Sequence, residues 1–322
     1  MKIFDAPPET WEQIHLVHET RYTYSQAVEF HPHRLVLRPR EGHDVRLNTM
    51  SLTTVPESTI HWHRDMLDNS IALAEFSEPA SELYIHSEFT ISVPPASTEG
   101  LRPIFIPHPS SLAGIEQLVA TPYLQYIYPP EVSMLRRWFS GTGLAPKPGQ
   151  TAAIFDDLVI LIHRVIGYNR REEPGVQSPA ETLRLGSGSC RDMAVLMIET
   201  SRSLGYPARF VSGYLESANS VVGRGSTHAW AEIYLPDWGW TGYDPSIGKR
   251  VGPGHIAVGV SHHPRGVMPV TGGFTGLSGI GSSLQVSITT RRLPPLEGPA
   301  EVLDIEPLPA ADLTEKPPGA PS

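Results

Sequence analysis

The chain has 322 residues, of which 40% are hydrophobic and 18% charged, and a formal net charge of −9. That length can bury a sizeable core in more than one domain, whereas an acidic balance without any Lys/Arg run sets nucleic acid aside as a partner. No apolar run approaches the length that spans a bilayer, and a single cysteine excludes both an intrachain disulfide framework and a structural zinc site built on several thiolates.

The opening residues, MKIFDAPPETWEQIH, lack an apolar signal core, and a cytoplasmic protein without membrane contact is the expectation. Residues 14–93 read as β. The stretches HLVHETRYTYS, RLVLRPR, VRLNTMSLTTV, TIHWH, SIALAEF and ELYIHSEFTISV are rich in β-branched and aromatic residues, with turn signals HPH, REGHD and MLDN between them. Short strands at this spacing predict a small antiparallel sandwich or sheet over 1–95. Five prolines in PPASTEGLRPIFIPHPSS mark 96–128 as a connecting segment.

Pro129 and Pro130 precede EVSMLRRWF, where proline fits the start of a helix. In GQTAAIFDDLVILIHRVIGYN, Ile154, Leu158, Ile162 and Val165 recur at helical spacing and predict a buried helix. SPAETLRLGSGSCRDMAVLMIETSRSLG comes next, then strands in ARFVSGYLE, THAWAEIYLP, WTGYDPS, HIAVGVS and LQVSITTRR. Helices first and strands after define an α+β fold rather than alternating βαβ units. Residues 129–292 make up the second domain. Residues 293–322, with eight prolines, six acids and one lysine and no period, read as a disordered tail.

The lone thiol, Cys190, opens the last of these helices. Ser189 suits the N-cap, Asp192 falls three residues on at capping-box spacing, and Gly205 suits the C′ position. Cys190, Ala194, Met197, Ile198 and Ser201 share one face, and the helix reads as amphipathic. Unpaired N–H groups and the helix dipole favour an anion at that end, and the same groups can hold the oxygen of a tetrahedral intermediate. Gly186, Gly188 and the small serines would let a substrate backbone come close. From the helix alone, a nucleophile and a small structural cysteine are equally open readings.

STHAWAEIYLPDWGWTGYDPS reads as a β-hairpin. His228, Trp230, Glu232 and Tyr234 share one face, and Ala229, Ala231, Ile233 and Leu235 share the other, which is assigned to the core. The polar-aromatic face would then look into a cleft. A three-residue loop over 235–237 pairs Tyr234 with Trp238, Glu232 with Trp240 and His228 with Asp244; a two-residue loop would send Asp244 to the opposite face. Cys190, His228 and Asp244 then stand in an order that can build a nucleophile, a base and an orienter.

At these residues the sequence resembles the transglutaminase-like superfamily, the thiol acyl-transferases and peptidases with a papain-like core. GSCRDMAVLMIETSRSLGYPARFVSGYL, THAWAEIYLPDWGW and GYDPS resemble its three active-site blocks in order and spacing. HIAVGVSHHPRGVMPVTGGFTG continues as in the bacterial branch, and YTYS, LRPR and MLDNSIAL resemble that branch's β-rich N-terminal region. The resemblance covers about residues 14–290. It implies an N-terminal antiparallel β domain followed by a papain-like core of helices packed on an antiparallel sheet. It further implies Cys190 as nucleophile, His228 as general base and acid and Asp244 as the third member, with no cofactor. GVSHHPRGVMPV stands where the family usually carries a more acidic stretch, a departure that leaves the three positions intact and bears on substrate preference. Tyr168, in IGYNR, is a trial assignment for the second oxyanion donor.

Around the site, Asp192 reads as a cap and dipole partner, Arg191 as solvated or salt-bridged, and Glu232 as a hydrogen-bond partner within the site. Trp230 and Trp240 read either as the wall of an acyl-binding groove or as packing beside the sheet. His61 with His63, and His262 with His263, lack the further ligands that complete a metal site. Calcium would need oxygen-rich loops, and TGGFTGLSGIG lacks the Lys-Ser/Thr of a phosphate loop. No metal is expected.

The expected activity is cofactor-independent thiol acyl transfer on a peptide, isopeptide or glutamine-type amide of a protein or peptide substrate, through a Cys190 thioester. Hydrolysis in the manner of a cysteine protease is preferred, because water is always at hand. An amine acceptor would make the chain a protein-glutamine transglutaminase, and a peptide-N-glycanase-like amidase uses the same three residues. The non-enzymatic alternative is a peptide-binding or assembly module on the same fold.

Overall fold

The computed structural model describes residues 11–95, 112, 114–144, 153–171, 173–216, 227–236 and 238–294; the tail read as disordered lies outside them from residue 295 onward. The N-terminal half holds β1 (Glu12–Phe30), β2 (His33–Leu35), β3 (Arg46–Val55), β4 (Ser58–Arg64), β5 (Ser70–Phe76) and β6 (Ala80–Val93). β6 buries every second residue from Leu83 to Ile91, as a strand does with one face on a core. It pairs antiparallel with β1, from Glu12↔Val93 to Thr23↔Glu82, and with β3 on its other side. A second sheet runs β2-β5-β4. Val28, Phe30, Leu35, Ala72, Leu83 and Ile85 pack into one apolar cluster drawn from both sheets, and the expected sandwich is formed.

The helical region comprises α1 (Ile115–Leu124), α2 (Val132–Gly141), α3 (Ala153–Val165), α4 (Pro179–Leu185) and α5 (Cys190–Ser203), with the two-residue strands β7 (Gly167–Tyr168) and β8 (Ser187–Gly188) between the last three. α1 lies in the segment expected only to connect the domains. Its Pro122 sits inside the helix, and that residue counts against a helix in sequence. The remaining strands are β9 (Ala208–Leu215), β10 (His228–Leu235), β11 (Gly239–Asp244), β12 (Lys249–Arg250), β13 (His255–Ser261), β14 (Val270–Thr271), β15 (Phe274–Thr275) and β16 (Ser282–Leu293). Five of them make a sheet in the order β12-β11-β10-β9-β13, and α5 lies against β10 and β9. No helix among the described residues is long and apolar enough to cross a membrane.

Two further features differ from the sequence reading. α5 is buried on all sides rather than on one face, with every residue from Asp192 to Ser203 enclosed. Its charges are paired inside: Arg202 Nη1 donates to Glu199 Oε1 at 2.9 Å, while Glu199 Oε2 accepts the backbone N–H groups of Ile127 and Tyr128 at 3.0 Å. A buried charge with all its hydrogen bonds met looks, in sequence, like a solvent-facing one. Secondly, β16 was expected to close the second domain. It pairs instead with β1, from Gln13↔Leu293 to Tyr24↔Ser282, and completes the N-terminal sheet. The halves also share a core in which Ile14, Leu16 and Phe89 meet Tyr214, Ile256 and Val258.

Candidate active site

The start of α5 is fixed by Asp192. Its Oδ2 accepts the Ser189 N–H and hydroxyl, each at 2.8 Å, and its Oδ1 accepts the Gln177 N–H at 2.7 Å. Arg171 Nη1 donates to both oxygens, at 2.9 and 3.0 Å. The capping role read from the spacing is therefore extended by an ion pair that ties the preceding loop to the helix. Arg191, expected in solvent or a salt bridge, donates to the carbonyls of Arg171 and Glu173.

A Cβ built on Gly188 would stand 2.9 Å from Asp192 Cβ and 3.1 Å from Gln177 Oε1. The missing side chain thus makes room for Asp192 and Gln177, not for a substrate. Tyr168 pairs in parallel with Gly188, which sets it beside the strand that leads into the cysteine. Cys190 itself is 6% exposed.

The hairpin forms in a register shifted by two residues from expectation: Tyr234 pairs with Trp240, and Glu232 with Gly242. The loop is still three residues long but begins one residue later. Because the shift is even, Asp244 keeps the face of His228. His228 Nε2 lies 2.7 Å from Asp244 Oδ2, and both side chains are fully buried. That bond leaves Nδ1 as the second ring nitrogen, buried and without a hydrogen-bond partner among the described residues. Burial by itself would lower the His228 pKa. The charges of Asp244 and Cys190, with the Asp244 hydrogen bond to the ring, outweigh it and raise the value to about 10. Burial likewise works to raise the Asp244 pKa, but the charges and hydrogen bonds of His228 and His255 hold it far below the usual carboxylate range.

Asp244 has partners that sequence reasoning missed. Its Oδ1 accepts the Ser246 N–H at 2.9 Å and the Ser246 hydroxyl at 2.6 Å, and His255 Nε2 lies 3.0 Å from Oδ2. The Asp-Pro-Ser turn carried a signal for Ser246, since an aspartate commonly accepts from the backbone two residues on. His255 arrives from β13, two strands beyond β10 across the sheet, and no local pattern marks it.

His228, Asp244 and His255 bring possible ligand atoms within 4.8 Å of one another, as no other group does among the described residues. The Gly252 N–H donates to His255 Nδ1 at 3.2 Å, so the ring hydrogen sits on Nε2 and points at Asp244. A nitrogen that carries its proton has no lone pair for a cation, and the trio fits hydrogen bonding rather than a metal. His263, considered with His262 as a metal pair, accepts the Arg265 N–H and caps a turn.

Among the described residues, the polar-aromatic face of the hairpin is packed over rather than open to a cleft. Trp230 is 1% exposed and packs with Val211, Val260 and Leu67, the last from the N-terminal half. The Arg209 guanidinium covers the Trp240 ring at 4.1 Å, with Tyr123 and Tyr234 edge-on to it. Glu232 pairs with Arg209 rather than with the site.

A helix that begins at the lone cysteine, packed on an antiparallel sheet in which a histidine and an aspartate meet, is the papain-like arrangement. Residues 14–92 match the family model described as the bacterial transglutaminase-like N-terminal region, and residues 145–245 match that of the transglutaminase-like superfamily. The chain belongs to the transglutaminase-like superfamily. An uncharacterised protein of Mycobacterium tuberculosis is 28% identical over 273 residues, with 80% of this chain and 86% of the relative covered. One of Mycobacterium leprae is 26% identical over 293 residues, with 86% and 98% covered. A Cytophaga hutchinsonii protein described as a candidate cysteine protease superposes with a TM-score of 0.65 at 15% identity, over 90% of this chain and 93% of that one. This last likeness is one of fold.

Proposed function

We propose that the chain is a cofactor-independent thiol hydrolase of amide bonds, with Cys190 as nucleophile, His228 as general base and acid, and Asp244 as orienter. The observation that supports this reading is the 2.7 Å contact between His228 Nε2 and Asp244 Oδ2, which leaves the other ring nitrogen, Nδ1, free to serve the sulfur. The substrate is a peptide, isopeptide or glutamine-type amide in a protein or peptide. A cytoplasmic setting belongs to the same reading, and cell fractionation checks it.

His228, raised to about 10, holds a proton through the neutral range. The Cys190 sulfur attacks the substrate carbonyl carbon, a C–S bond forms, and the carbonyl π pair moves onto oxygen. Backbone N–H groups at the open end of α5 stabilise that oxyanion. As the pair returns, the C–N bond breaks and His228 Nδ1 gives its proton to the departing amine, which leaves a thioester on Cys190. Water then adds to the thioester and passes a proton to Nδ1. The C–S bond breaks, the carboxylic acid leaves, and the sulfur is restored. An amine in the place of water would close a new amide instead.

Intact-mass measurement after incubation with pools of glutamine-containing and isopeptide-linked peptides tests this. Mass increments that neutral hydroxylamine removes from the wild type, and that Cys190→Ala never shows, are expected. Increments that persist in Cys190→Ala, or none on the wild type, would contradict it.

A further inference from the structure

Asp244 is held by two histidines. His228 Nε2 and His255 Nε2 converge on the same oxygen, Oδ2, at 2.7 and 3.0 Å, while Ser246 supplies two donors to Oδ1. The second imidazole has a fixed tautomer, because the Gly252 N–H must donate to its Nδ1. It is a neutral ring with its hydrogen aimed at the carboxylate. Its side chain is 5% exposed, and the Trp230 indole stands edge-on to it with centroids 5.2 Å apart. Among the described residues, the charged and titratable groups around it are Asp244 on β11, His228 on β10 and, beside the adjoining Gly254, Glu216, which Arg292 engages.

We propose that His255 is a positioning residue for the reaction, a neutral N–H donor that locks the Asp244 carboxylate so that His228 keeps its hydrogen on Nε2 and presents Nδ1 to Cys190. This rests on the reading of Cys190, His228 and Asp244 given above. A carboxylate with donors on both oxygens cannot rotate about its last bond without breaking several hydrogen bonds at once. Without His255 the donor left on Oδ2 is the His228 ring itself, which can move with the carboxylate, so the paired Ser246 contacts on Oδ1 are the anchor that remains independent of that ring. Rotation would carry the imidazole with it and misalign Nδ1.

The test is the rate of Cys190 alkylation by iodoacetamide between pH 5 and 10, together with thermal melting, for wild type, His228→Ala, His255→Leu and His255→Gln. His255→Leu keeps bulk without a donor, and it is expected to lower the rate at pH 6 by about tenfold and to bring the upper inflection down by about one pH unit. His255→Gln keeps an N–H donor and is expected to stay within about threefold of wild type. Variants that melt earlier but keep the wild-type pH profile would show a merely structural role and overturn the proposal. A wild-type profile indistinguishable from that of His228→Ala would overturn the proposed function itself. Should His255→Leu fail to fold, the 15N resonances of the wild-type imidazoles decide: a His255 proton on Nε2 supports the proposal, and one on Nδ1 overturns it.

Discussion

The indole of Trp230 lies across Gly213. A Cβ built on Gly213 would stand 2.7 Å from the indole Cη2 and 2.1 Å from the Ile256 carbonyl oxygen. Gly213 is also the strand partner of His228. One strand of the sheet thus gives up a side chain so that the ring against both His228 and His255 can pass over it. Gly213→Ala is expected to cost about 3 kcal/mol, near the top of the overpacking range, since backbone as well as side chain must move. Urea denaturation measures it, and a loss below about 0.5 kcal/mol, the scatter of ordinary surface changes, would contradict the packing argument.

Asp192 gives a second prediction. The fully buried carboxylate serves Arg171, Gln177 and Ser189 together. Asp192→Ala leaves the Arg171 guanidinium without its buried partner and the start of α5 without a cap. About 3 kcal/mol of stability should be lost, the lower end for a broken buried pair because Arg171 is partly exposed. Asp192→Asn, which keeps some acceptors, should fall between the two in the same urea titration.

Asn69 joins the two halves. Its Oδ1 accepts the Val260 N–H at 2.8 Å and its Nδ2 donates to the Val260 carbonyl at 2.9 Å. β13 is an edge strand, so the side-chain amide stands where a neighbouring strand would be. Asn69→Ala should cost about 2 kcal/mol by leaving both backbone groups unmet. Hydrogen exchange at the Val260 amide should speed up about tenfold or more, while exchange on the far side of the sheet stays as it was.

The His228 pKa, raised from 6.5 to about 10, sets the pH course of stability. A group that binds its proton more tightly in the folded state stabilises it fully below the unfolded value, and that contribution is lost as pH rises through the folded one. The stability difference between wild type and His228→Gln should therefore be constant below about pH 6.5, decline above it and vanish above about pH 10. Urea midpoints for both proteins at pH 6, 8 and 10 check this. A difference that grows with pH would carry the wrong sign.

Local signals were legible in the sequence and distant ones were not. The alternation in β6, the cap at Ser189 and Asp192 and the left-handed Gly205 after α5 depend on residues a few positions apart. The face shared by His228 and Asp244 was readable too, because parity survives a two-residue slip. The pairing of Tyr24 with Ser282 and the reach of His255 to Asp244 depend on how the chain returns, which no window of sequence encodes. The charges of α5 misled for another reason: Glu199 and Arg202 satisfy each other inside the core.

Alkylation of Cys190 at pH 6 probes most directly whether His228 activates the sulfur. With the imidazolium retained to about pH 10, the wild type should react about tenfold or more faster than His228→Ala, and its rate should stay nearly level from pH 6 to 9. Equal rates in the two proteins, both climbing tenfold per pH unit as an isolated thiol does, would contradict the account.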